Sequence, residues 1–214
     1  MKKRIYQIGF VSGLTAAGST IAFGIVQGLQ LIGILHYPLD EILIYASSLC
    51  IVIPLLLMMI ALHDVTPDDK KFWSHTAVIF TVIYAVFVTA NYVAQLATVI
   101  PMTASGNSET IGILKQTPHS LFWNFDAVGY ISMGLAALFA APLFASTGFQ
   151  RWVKYTLLAH ALITPLVAFV YFYPTFSEQL LLIGVPWAIT APTFMLLLAL
   201  YFKKQPGELS AEKT

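Results

Sequence analysis

Long apolar runs separated by short polar connections organise this chain. Six of them, at about 8–35, 42–62, 76–100, 120–146, 152–173 and 179–202, meet the roughly 20 apolar residues that an α-helix needs to cross the hydrocarbon of a bilayer. The pattern predicts an all-α polytopic integral membrane protein, with six transmembrane helices in a single domain, 1–214. The runs are continuous rather than alternating, which argues against a transmembrane barrel. The connections are too short for a soluble domain, so the function is expected to belong to the bundle and its two rims.

Of 214 residues, 58% are hydrophobic and 10% charged, under half the charge of an ordinary soluble domain. A net charge of +1 excludes a general basic surface for nucleic acid. The lone cysteine, Cys50, excludes an intrachain disulfide framework and a Cys-rich zinc site. If the spans alternate, Lys2, Lys3, Arg4, Lys70, Lys71, Arg151, Lys154, Lys203, Lys204 and Lys213 fall on one side and Lys115 alone on the other. The positive-inside rule then puts both termini in the cytoplasm.

The connections carry their own signals. Thr66-Pro67-Asp68-Asp69 predicts a Thr-capped helix start with Pro in the first turn and two carboxylates at the positive end of the dipole. Thr117-Pro118-His119 repeats the signal before span four. The outer loop 102–118 is the longest, and within it 108–115 is expected to form an amphipathic turn on the membrane or over the bundle mouth. Within the spans, Gly9 and Gly13, then Gly24 and Gly28, predict close helix approach, and Pro54, Pro165, Pro186 and Pro192 predict kinks.

Asp126, in the fourth span, is the one acidic residue inside an apolar run. An intramembrane carboxylate is costly and is by default a functional hypothesis. At about 1.5 Å per residue it lies about 9 Å below the outer surface, level with Gln30 and Gln95, while Gln27 and Asn91 lie one turn deeper. Helical spacing aligns Asn91 with Gln95, Gln27 with Gln30, and His119, Trp123 and Tyr130 with Asp126, whereas Asn124 points away. The residues predict an outward-facing polar pocket of Gln27, Gln30, Asn91, Gln95 and Asp126. Trp123, Tyr92 and Tyr130 are its expected walls, with His36 and His119 at the rim above. Its expected occupant is a small cationic or protonatable molecule, with binding as the expected role and transport as its extension. The plain alternative is an interhelical hydrogen-bond network that fixes helix register.

Other constellations point elsewhere. His160, between Thr156 and Thr164, has no second histidine at its depth for a haem, so a hydrogen bond to a neighbouring span is expected. His63, Asp64, Asp68, Asp69 and His75 cluster at a connection, but helix capping explains the two aspartates there, and no metal or cofactor is assigned. No metalloprotease, serine-hydrolase, phosphate-loop or dinucleotide motif occurs, so no catalytic residue is named. Two readings from other classes stay open. One is a membrane enzyme acting on a lipid-soluble substrate at the outer rim through His36, His119 and Asp126. The other is a non-catalytic subunit with a membrane partner or in a homo-oligomer.

At Asn91-Tyr92-Val93-Ala94-Gln95 and across 126–144, from Asp126 to Phe144, the chain resembles uncharacterised small prokaryotic six-span membrane proteins. The resemblance covers mainly spans three and four. It implies a bacterial or archaeal inner membrane, and it brings no activity.

Overall fold

The computed structural model describes residues 2–107, 109 and 111–211. Ser108 and Thr110 of the expected loop turn, and Lys213 of the basic set, lie outside the described residues. The chain is all-α. Six helices are long and apolar enough to cross a membrane: α1 (Lys2–Leu31), α2 (Leu39–Val65), α3 (Asp68–Ala104), α4 (Leu121–Leu143), α5 (Gly148–Phe172) and α6 (Gln179–Lys204). Each packs against its neighbours in sequence, and α6 returns to pack against α1, so the bundle is a closed up-and-down ring. Tyr6 meets Phe202 edge-on where the ring closes, and this marks the terminal end of the bundle. The end carrying the α1–α2, α3–α4 and α5–α6 connections is the far end.

Helix ends explain most departures from the expected bounds. α1 starts earlier than the apolar run, because Lys2, Lys3 and Arg4 are good helix formers. It stops at Leu31 because Gly33 takes a left-handed φ of 71°, with Gly33 N–H donating to Gln30 O at 2.9 Å and Ile34 N–H to Leu29 O at 2.9 Å. Thr66 does not cap α3. It closes α2, its hydroxyl donating to Leu62 O at 2.6 Å. The cap of α4 is Ser120, whose Oγ accepts from Trp123 N–H at 3.2 Å, and not Thr117. α3 runs on past Pro101 through a π turn, Gln95–Val99, in which Ile100 N–H reaches back five residues to Gln95 O. Proline lacks an N–H and crowds the carbonyl one turn back, which widens the turn just before it.

Glycines set how closely the ring closes. A Cβ on Gly9 would lie 2.7 Å from the Phe202 ring, and one on Gly13 would lie 2.7 Å from Ala199 Cβ. A Cβ on Gly129 would lie 2.6 Å from Val88 of α3, and one on Gly134 would come closer still to Thr164 of α5. Gly24 and Gly28 have the same spacing as the first pair but meet nothing within 4 Å. The packing stripe expected at these two positions is therefore absent, because α1 and α6 part there. Around the outside the ring is apolar, with Leu162 75% and Ile189 66% exposed. Such a belt suits hydrocarbon and fits a multi-pass membrane protein.

Candidate functional site

Asp126 lies one and a half turns into α4, facing the interior with Trp123 three residues before it and Tyr130 four after. It is 3% exposed. Oδ2 accepts from the Tyr171 hydroxyl of α5 at 2.5 Å and from Gln116 Nε2 at 3.1 Å. Oδ1 accepts from Asn91 Nδ2 of α3 at 3.3 Å. The Tyr92 hydroxyl of α3 is a further hydrogen-bond partner, and all four donors are neutral.

Behind this first layer the network continues. Asn91 Nδ2 also donates to Gln116 Oε1 at 3.0 Å. Gln95, at the head of the π turn, donates from Nε2 to Leu114 O at 2.8 Å, and its Oε1 accepts Gln116 N–H at 3.2 Å. The α3–α4 loop thus folds into the bundle mouth, its 3-10 turn Gly112–Leu114 docked on Gln95 and its Ile111 2% exposed. Of the two loop positions expected from sequence, over the mouth and on the membrane, the described part takes the former.

Asp126 and Gln116 also border a cavity of about 360 Å³, within the range that holds small-molecule ligands. Six aromatic residues, Phe23, Tyr92, Trp123, Tyr130, Tyr171 and Trp187, share its walls with aliphatic side chains and glycines. Tyr92 and Tyr130 share a hydroxyl hydrogen bond of 2.9 Å, and Tyr130 stands edge-on to Trp187 with ring centres 4.9 Å apart. Trp123 is clamped to α5 by its indole N–H on Tyr171 O at 3.0 Å. A lone carboxylate beside several π faces is chemistry suited to an organic cation.

The residues singled out in the sequence divide into three groups. Asp126, Trp123, Tyr130, Tyr92 and Gln27 border the cavity. Asn91 and Gln95, 0% and 1% exposed, stand behind it as hydrogen-bond supports. Gln30, His36 and His119 lie apart. Gln30 donates to Asp40 Oδ2 at 2.8 Å and ties the end of α1 to the start of α2. His36 and His119 are exposed at the far end, and neither borders the cavity. Asn124 is exposed on the outer face of α4. Gln116, Tyr171 and Trp187 were not anticipated. Only the loop's place as a lid candidate hinted at Gln116, while Tyr171 and Trp187 read as ordinary aromatics of apolar runs.

Elsewhere, His160 is 1% exposed and shares a 3.0 Å hydrogen bond with Thr190 Oγ1 of α6 through Nδ1, the interhelical tie expected of it. His63 bonds Ser74 Oγ at 2.8 Å through Nδ1, with the His75 ring edge-on at 5.6 Å. Among the described residues no three His, Cys, Asp or Glu side chains group as metal ligands. A second cleft, of about 410 Å³, lies at the terminal end among Lys2, Tyr6, Asp64, Asp68 and Lys71, where charges of both signs meet. No family model, curated protein or solved structure matches this chain.

Proposed function

We propose that this chain is a multi-pass protein of a prokaryotic inner membrane, with both termini cytoplasmic, that binds a small cationic or protonatable molecule on Asp126. The observation that carries this reading is the placement of a buried carboxylate, served only by neutral donors, on the wall of an aromatic cavity. A carboxylate out of water needs its charge met or its oxygens satisfied. Its two oxygens offer about four acceptor sites, which Tyr171, Gln116, Asn91 and Tyr92 meet without neutralising the charge. A ligand ammonium would displace one of these neutral donors and neutralise the charge.

Transport would follow if the seam between α1 and α6 also parted at the terminal end. That seam is closed there by Phe202 against Gly9, Ala199 against Gly13, and the Thr20 hydroxyl on Met195 Sδ at 3.3 Å. The described arrangement is therefore a state shut toward the termini. A second reading draws on the same donors: Asp126 ties α3, α4 and α5 together and takes no ligand.

A thermal-stabilisation screen in lipid nanodiscs separates the two, comparing organic amines with neutral amides and carboxylates of matched size. Binding on Asp126 predicts stabilisation by amines alone. Equal responses, or none, favour the structural tie.

A further inference from the structure

The cavity is not a closed box. On α1 its border is Gly24, Gln27, Gly28 and Leu31, and on α6 it is Leu181, Gly184, Val185 and Ala188. Both sets have the spacing i, i+3, i+4, i+7, so each is a single stripe along one helix face. α1 and α6 are neighbours in the ring. Toward the termini, the same two helices interlock at Gly9 with Phe202, Gly13 with Ala199, Thr20 with Met195, and Phe23 with Trp187. Above Phe23 and Trp187 the stripes border empty space. A Cβ on Gly24, Gly28 or Gly184 would meet nothing within 4 Å.

A parted seam between adjacent helices of a ring opens sideways. Leu31, 50% exposed, and Val185, 46% exposed, stand at its lips. Toward the far end, Gln116 roofs the cavity from the loop. The lateral route is almost wholly apolar, with Gln27 its one polar side chain. At its inner end stand Asp126 and the indole of Trp187. Trp187 is 8% exposed, and its Nε1–H has no hydrogen-bond partner among the described residues.

We infer that the ligand is an amphiphile, a single cationic head on an apolar body, entering sideways from the far leaflet of the bilayer between α1 and α6. The head seats on Asp126 among the aromatic rings, and the body lies between the two stripes. A polar, fully water-soluble cation would gain nothing from the apolar passage and would have to cross it. The inference rests on the reading of Asp126 given above and adds the ligand's body and its route.

The test uses the full chain in nanodiscs with Trp73→Phe and Trp152→Phe, leaving Trp123 and Trp187 at the cavity as fluorescence donors. The probe is a long-chain alkylamine carrying a dansyl group at its chain end. The expected result is saturable energy transfer, displaced by dodecylamine but not by dodecanoate or methylamine at the same concentration. Gly28→Leu with Gly184→Leu should abolish it while leaving the unfolding temperature unchanged, since both positions have room. Displacement by methylamine as effective as by dodecylamine, or full binding in the double leucine variant, overturns the inference. If that binding is also lost in Asp126→Asn, the seat stands and only the route and body fall. No saturable transfer, with no stabilisation by methylamine either, overturns inference and seat together.

Discussion

Tyr171 of α5 and Asp126 of α4 share the shortest side-chain hydrogen bond of the cavity wall, 2.5 Å from hydroxyl to Oδ2. The Tyr171 carbonyl meanwhile holds the Trp123 indole at 3.0 Å. One residue therefore both satisfies the carboxylate and fixes an aromatic wall beside it. Removing only the hydroxyl separates the two jobs. Tyr171→Phe is expected to lower stability by about 1–3 kcal/mol, the usual cost of depriving a buried carboxylate of a donor, with Trp123 still clamped. Thermal unfolding in nanodiscs checks this, and an unchanged midpoint would mean that the hydroxyl bond contributes nothing.

Gln116 joins the loop to the bundle through its side chain on both Asn91 and Asp126 and through its N–H on Gln95. Gln116→Ala removes the side-chain links and keeps the main-chain one. The loop amides around 111–116 should exchange hydrogen faster than in the parent, with a stability loss of about 1 kcal/mol per link. Exchange at the parent rate would show that the loop is held by Gln95 and Ile111 alone.

The glycines make a contrasting pair. Gly134→Ala drives a methyl into Thr164 across the α4–α5 seam and is expected to cost about 1–3 kcal/mol. Gly18, on the outer face of α1, meets nothing within 4 Å, and Gly18→Ala should be neutral or stabilising by up to about 1 kcal/mol. Equal effects of the two changes would contradict the packing described for the ring.

Gln27 and Gln30 sit three residues apart on α1, yet only Gln27 borders the cavity, while Gln30 is engaged by Asp40. Gln27→Ala is expected to weaken binding of a cationic amphiphile, whereas Gln30→Ala should change only stability. A loss of binding in Gln30→Ala would move the site toward the far rim.

The spans were legible because run length alone distinguishes a bilayer-crossing helix, and Asp126 because a carboxyl within such a run is costly enough to stand out. Depth along a helix axis is also readable, which is why Asn91, Gln95 and Gln27 fell close to Asp126. Rotation about that axis is not, and it took Gln30 to Asp40 once α1 ended at Gly33. Gly9 and Gly28 look alike in sequence. Whether a glycine stripe is filled depends on the divergence of two helices that meet only when the ring closes. Gln116 and Tyr171 were illegible for a related reason: a loop glutamine and an aromatic near a span's end become donors to one carboxylate only when three helices and a loop converge.

If the Asp126 carboxyl is the seat of a ligand cation, neutralising it must weaken binding. The binding isotherm of dodecylamine to the parent chain and to Asp126→Asn in the same nanodiscs tests this, with circular dichroism verifying the fold of both. Loss of a charge-assisted contact worth about 1.5–3 kcal/mol predicts an affinity lower by roughly tenfold to a hundredfold in the variant. Equal affinities in two folded proteins would contradict the account.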